Sequence, residues 1–261
     1  MTALAARAGA ERRVFLTAEW RYLVMVNYTV DPAVLAPLAP AGTELDLYRG
    51  EAIATMVGFR FLRTRLLGVP VPGHAEFDEV NLRFYVRHTA GSGEVRRGAV
   101  FVREIVPRAA VAHTARLCYN EPYLALPMRS TAPRAPDDPA PGRLRYTWRG
   151  GGRDPRRWHA LEATVAGPAE PLGAGSEEEF VAEHYWGYTR QRDGGTVEYQ
   201  VRHPRWRAWP ARAAALDADV AGLYGPAFAE SLGGAPRSAF VAEGSPVAVH
   251  FPRRLRGVRG P

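Results

Sequence analysis

The chain has 261 residues, a formal net charge of +7 at pH 7 and 46% hydrophobic residues. That apolar share allows a sizeable core and excludes global disorder. The apolar runs are strand-sized, far short of the ~18 residues of a membrane-spanning helix, and the single cysteine, Cys118, excludes an intrachain disulfide or a four-cysteine zinc site.

Residues 1–13 are Ala-rich but broken by Arg7, Glu11, Arg12 and Arg13. They lack the apolar stretch of a secretory signal and read as a disordered leader before a single domain at 14–252. Residues 22–30 are apolar and β-branched and predict a strand. Asp31-Pro32 supplies an N-cap and a first-turn proline for a short helix over 32–38, which Pro40-Ala41-Gly42 ends. Strands are predicted over 45–48 and 52–62 around the Arg49-Gly50 turn, then a loop over 68–73. The clearest alternation covers 79–87: Val80, Leu82, Phe84 and Val86 point one way, and Glu79, Asn81, Arg83, Tyr85 and Arg87 the other. After a turn at Gly91-Ser92-Gly93, residues 97–106 complete a hairpin.

Residues 110–120 fit a short helix or a strand, since periodicity does not decide between them. Residues 130–142 are a Pro-rich loop, and 144–148 and 159–165 read as an antiparallel pair. Ser176-Glu177-Glu178-Glu179 is a capping-box start for a helix over 177–184. Residues 185–192 and 196–203 form a hairpin around Asp193-Gly194-Gly195. Leu216, Val220, Leu223, Tyr224, Phe228 and Leu232 recur at helical spacing, with a break at Pro226. A last strand covers 246–251, and residues 253–261, with Arg253, Arg254, Arg256 and Arg259, read as a solvated basic tail. Strands outnumber helices, which predicts one α+β domain on a curved antiparallel sheet or barrel.

All 34 basic residues are arginine; the chain has no lysine. The arginines are scattered and no nucleic-acid-binding signature accompanies them, so nucleic acid is not an expected partner. None of the seven histidines has the paired spacing of a zinc helix, and His74 with Asp78 and Glu79 is the nearest approach to a cluster. No metal, cofactor or membrane partner is expected. Gly150-Gly151-Gly152 lacks the lysine and the strand-to-helix context of a phosphate loop and reads as a turn. Cys118 is expected to be a small buried residue, and one thiol suits a cytoplasmic location. The polar face of Glu79, Asn81 and Arg83 is either a solvated sheet face or the lining of an interior pocket. Residues 183–190 are either aromatic core with exposed charges, or a pocket wall carrying an acid–base His184 with Tyr185 and Tyr188.

Several stretches in this order resemble the YqjF-like family, domain of unknown function 2071. They are Leu16-Thr17-Ala18-Glu19-Trp20-Arg21; Gly58-Phe59-Arg60-Phe61-Leu62 with Pro70-Val71-Pro72-Gly73-His74; Phe77-Asp78-Glu79-Val80-Asn81-Leu82-Arg83; Tyr119-Asn120-Glu121; residues 183–192; and residues 239–246. The family is similar to the acetoacetate decarboxylase superfamily. That likeness implies a cone-like antiparallel β-barrel with flanking short helices, and it favours self-association. In such decarboxylases a lysine of depressed pKa, beside a second cation, condenses with a β-keto acid. The corresponding stretch here resembles Leu126-Pro127-Met128-Arg129. Met128 then takes the place of the imine-forming lysine, and Arg129 that of its neighbour. A thioether forms no imine, and a guanidinium stays protonated. The resemblance also implies Arg21 as the partner of a substrate carboxylate and Glu79 as the pocket carboxylate.

Two readings remain. One is a lysine-independent enzyme (a lyase, hydratase, isomerase or cyclase) acting on a small anionic or carbonyl compound. In it Glu79 and His184 move protons, while Arg21, Asn81, Arg83, Met128, Arg129, Tyr185 and Tyr188 bind the substrate. The other is a non-catalytic small-molecule-binding barrel.

Overall fold

A computed structural model describes residues 12–135 and 142–255 of the chain. Among these, sixteen strands join in one sheet. They are β1 (Val14–Thr29), β2 (Glu44–Leu45), β3 (Ile53–Leu66), β4 (Val69–Pro70), β5 (Phe77–Thr89), β6 (Val95–Val106), β7 (Tyr123–Ala125), β8 (Met128–Ser130), β9 (Arg143–Arg149), β10 (Trp158–Val165), β11 (Glu170–Pro171), β12 (Trp186–Arg190), β13 (Thr196–Arg202), β14 (Arg207–Asp217), β15 (Ser238–His250) and β16 (Arg253–Arg254). The α-helices are α1 (Pro32–Leu35), α2 (Ala109–Tyr119), α3 (Glu177–Ala182), α4 (Val220–Tyr224) and α5 (Ala229–Gly233).

Neighbouring strands run β13-β12-β6-β5-β3-β1-β15. β15 also pairs back onto β13 through Val249↔Val201 and Ala248↔Arg202, so these seven strands form a closed circuit of pairings. From β15 the sheet continues through β14, β10, β9 and β8 as a wing.

The central strands are apolar on both faces because both faces are buried. One face carries Val24, Val26, Met56, Val80, Leu82 and Phe84 into a core shared with Tyr146, Trp148 and Leu161 of the wing. The opposite face carries Leu23, Met25, Val57, Phe59, Phe61 and Phe77 into a second core with Phe180, Trp206 and Phe240. β1 changes its alternation at Tyr22, which has φ 57° and sits in a register shift against β3 between Arg21 and Val24. Across β1 from Arg21 is Gly244, with φ 79°, where a Cβ would overlap the Trp20 carbonyl oxygen. This irregularity turns Trp20 and Leu23, three residues apart, toward the same cavity.

Several sequence expectations need correction. Leu216 belongs to β14, not to a helix. The run Ala213-Ala214-Ala215-Leu216 has high helix propensity, but its backbone is committed to β10 from Asp217↔Ala160 to Ala211↔Val165. Helical spacing survives only in α4, a 3-10 turn at Pro226–Phe228, and α5. Residues 110–120 form helix α2, closed by Asn120 in the left-handed conformation. Cys118 is exposed, since α2 turns Ala112 and Tyr119 inward instead. Arg253 and Arg254 are exposed, and both are ion-paired. They pair with Glu198 at 2.5 Å and Asp193 at 2.6 Å, and Arg12, read as leader, pairs with the same buried Glu198 at 3.2 Å. A buried carboxylate without such cations would be strongly destabilising. Residues 1–11, most of the expected leader, and Arg256 and Arg259 lie outside the described residues. Among the described residues no helix is long and apolar enough to cross a membrane.

Candidate functional site

A cavity of about 220 Å³ lies against the second core, and all seven strands of the closed circuit contribute to its lining. Its wall is largely aromatic: Phe15, Trp20, Phe59, Phe61, Phe77, Phe101 and Trp206. Ala110, Thr114 and Ala115 of α2 also line it, as do Val71 and His74 of the 67–76 segment. Lining residues on these two segments are partly exposed.

Strand register gathers three glutamates on this apolar wall. β5 presents Glu79, Asn81 and Arg83 to the cavity, as the period-two alternation requires. Glu104 of β6 lies across from Asn81, and Tyr123 of β7 lies across from Glu104. Glu121 follows the left-handed Asn120 that ends α2. Glu79 accepts from Asn81 Nδ2 at 2.9 Å and from the Tyr123 hydroxyl at 3.0 Å. Glu121 accepts from the Tyr199 hydroxyl. The Tyr199 ring crosses the backbone of Gly187, where any Cβ would overlap it, and this explains the glycine in Trp186-Gly187-Tyr188. Glu104 Oε2 and Asn81 Oδ1 are buried without a hydrogen-bond partner among the described residues.

Burial dominates the protonation of this cluster. It pushes Glu79 up to about 7, against hydrogen bonds from Asn81 and Tyr123 and the charge of Arg83. It pushes Glu121 up to about 8, against the Tyr199 hydrogen bond, with Glu79 adding repulsion. Burial, then the charges of Glu121 and Glu79, hold Glu104 well above the carboxylate range.

His184 enters the same cavity from the segment between α3 and β12. Its ring stacks on Tyr85 at 4.4 Å between centroids, and Nε2 lies 3.1 Å from Asp46 Oδ2. Burial lowers His184 to about 4, so the imidazole is neutral at pH 7. Burial alone would raise Asp46, but hydrogen bonds from His184 and Arg97 outweigh it and keep it ionised. Nε2–H therefore donates to Asp46, and Nδ1, which has no partner among the described residues, keeps its lone pair. His203, also lowered to about 4 by burial, lines the cavity and stacks on Trp206 at 4.2 Å.

Of the residues expected at the site, Glu79, Asn81, Arg83 and His184 come together here. The others lie elsewhere. Arg21 pairs with Glu19 at 2.7 Å and donates to the Gly244 carbonyl at 3.2 Å. Met128 packs against the first core, with Val80 and Leu82, on the face of β5 opposite Glu79. Arg129 is exposed, its guanidinium 4.9 Å from the Trp158 ring centroid. Tyr185, which is not among the lining residues, packs its ring at a tilt against His203, 4.7 Å between centroids, and donates to Glu183. Tyr188 is buried in the first core and donates to the Arg96 carbonyl at 3.2 Å. Sequence reasoning missed Glu104, Tyr123, Tyr199, Asp46 and His203. Only Glu121 carried a signal, within Tyr119-Asn120-Glu121.

The comparisons agree on the fold. Three solved structures cover nearly all of the chain. Acetoacetate decarboxylase from Legionella pneumophila subsp. pneumophila str. Philadelphia 1 is 14% identical, with TM-score 0.63 over 97% of this chain and 92% of that one. The enduracididine biosynthesis enzyme MppR complexed with pyruvate is 15% identical, with TM-score 0.62 over 95% and 93%. An acetoacetate decarboxylase-like enzyme from Sphingomonas wittichii RW1 is 16% identical, with TM-score 0.62 over 98% and 99%. At these identities the likeness is one of fold. The uncharacterized protein YqjF of Bacillus subtilis (strain 168) is 33% identical over 112 residues, 42% of this chain and less than half, 44%, of that protein's length. Residues 17–246 match DUF2071, described as uncharacterized conserved protein (COG2071), and the chain belongs to that family.

Proposed function

We propose that this protein is a lysine-independent acid–base enzyme acting on a small, mainly apolar molecule held in the cavity. Lyase, hydratase, isomerase or cyclase chemistry fits, because each delivers a proton at one atom and removes one from another. Glu79 is the proton donor and His184 Nδ1 the base. One observation carries this reading: a carboxyl that keeps its proton near neutrality and a neutral histidine oriented by Asp46 line one apolar cavity. The closed circuit of seven strands supports a cone-like β-barrel with this cavity in its interior. Kinship of fold with the decarboxylases supports a small-molecule enzyme but assigns no reaction. The absence of lysine argues against imine chemistry. Arg83 is the only arginine among the lining residues, so an anionic substrate, expected while Arg21 and Arg129 stood beside the pocket, is not favoured.

The test is a thermal-shift screen of metabolite extracts, with mass spectrometry of the bound fraction before and after incubation. Conversion of the bound compound by the wild type, lost in Glu79→Gln with binding retained, is the expected result. Full activity in Glu79→Gln removes the assigned role, and a ligand that binds without chemical change makes the protein a binder.

A further inference from the structure

The Asn81–Glu104 corner carries more information than the proton chemistry uses. Asn81 is 1% exposed and Glu104 2% exposed, and they face each other across the β5–β6 pairing. Asn81 Nδ2 donates to Glu79, which leaves its Oδ1 as an acceptor, and that oxygen has no partner among the described residues. The same holds for Glu104 Oε2. A protonated Glu104 can offer this corner only one O–H for two buried oxygens, and a ligand rich in N–H groups would supply the rest. An ammonium brings three donors where a hydroxyl brings one.

We propose that the substrate presents a protonated amine to Asn81 Oδ1 and Glu104 Oε2, with an apolar body of aromatic size against Phe59, Phe61 and Phe77. This inference rests on reading the cavity as the substrate site. Three carboxyls share the cavity with one guanidinium, so a cation relieves their crowding while an anion adds to it. Aromatic faces add cation–π attraction. Trp20 Nε1 and Arg83 Nε, donors without a partner among the described residues, call for an oxygen elsewhere on the same molecule. Burial keeps protons on the glutamates, so on binding the ammonium retains its protons and a cavity carboxylic acid gives one proton to the buffer.

Calorimetry with phenethylamine, 2-phenylethanol and phenylacetate tests this, since the three probes differ only in the head group. Titrations near pH 7, in two buffers of different ionisation enthalpy, count the protons released. Phenethylamine is expected to bind about ten-fold or more tighter than either analogue, with proton release. Glu104→Gln is expected to lose both the preference and the release. The wild-type comparison decides independently of how that variant folds. Equal or tighter binding of phenylacetate or 2-phenylethanol, or amine binding without proton release, overturns the proposal. Amine preference with no conversion of any extract compound supports this inference and counts against the enzymatic reading; conversion of a substrate without an amine does the reverse.

Discussion

His184 Nε2 lies 3.1 Å from Asp46 Oδ2, and that contact decides which ring nitrogen carries the proton. Asp46 is itself held by Arg97 at 2.6 Å and by its backbone N–H to the Tyr85 carbonyl at 3.0 Å. Asp46→Asn replaces an anionic acceptor with an amide that can also donate. Turnover is expected to fall by about 10²-fold with ligand binding retained. Nitrogen NMR of His184 should show the neutral ring losing its single tautomer. Unchanged turnover would mean that His184 needs no orienting partner.

Protonation of the cavity sets a pH dependence of stability. Glu79 and Glu121, raised to about 7 and about 8, hold protons in the folded chain that the unfolded chain loses near 4.5. Their contribution is fully present below that value and is lost as pH rises through the folded values. His184 and His203 act in the opposite sense, and what they contribute is lost as pH falls from 6.5 toward about 4. Above 6.5 the histidine contribution fades and the carboxyls outweigh it. Urea midpoints are therefore expected to fall between pH 6.5 and pH 8, with Glu121 alone giving about 1 kcal/mol per pH unit. Glu121→Gln should flatten that slope; a midpoint rising across the same window contradicts it.

Gly187 allows Tyr199 to reach Glu121. In Gly187→Ala the new methyl overlaps the Tyr199 ring, and stability is expected to fall by about 1–3 kcal/mol. A Cβ at Gly91 would meet nothing within 4 Å, so Gly91→Ala is expected to change stability by less than about 0.5 kcal/mol. Equal denaturation midpoints for the two variants would show that the Tyr199 ring yields without cost.

The chain has no lysine, and Met128 lies on the other side of β5 from Glu79. Incubation with pyruvate and borohydride is expected to leave the protein mass unchanged. A reduced adduct would mean that imine chemistry persists on another amine.

Much of this arrangement was legible in the sequence, for reasons that particular residues make clear. Glu79, Asn81 and Arg83 were visible because a strand displays every second residue on one face. His184 was visible as an isolated titratable group among aromatics. Glu104 and Tyr199 were not, because each lies on the second strand of a hairpin, and only the pairing register shows which residue of the first strand it sits beside. β14 was misread because its alanines favour helix locally and only the partner strand β10 decides otherwise. The family resemblance carried the fold. Of the pocket it carried Glu79, whereas Arg21 and Arg129 are used in contacts outside the cavity.

The proposed chemistry requires Glu79 to carry a proton in the cavity near neutral pH. Infrared difference spectra of the wild type against Glu79→Gln measure this directly, without a substrate. A protonated-carboxyl C=O band is expected at pH 6.5, absent from Glu79→Gln, that disappears with a midpoint of about 7. A Glu79 already fully carboxylate at pH 6.5 would contradict it.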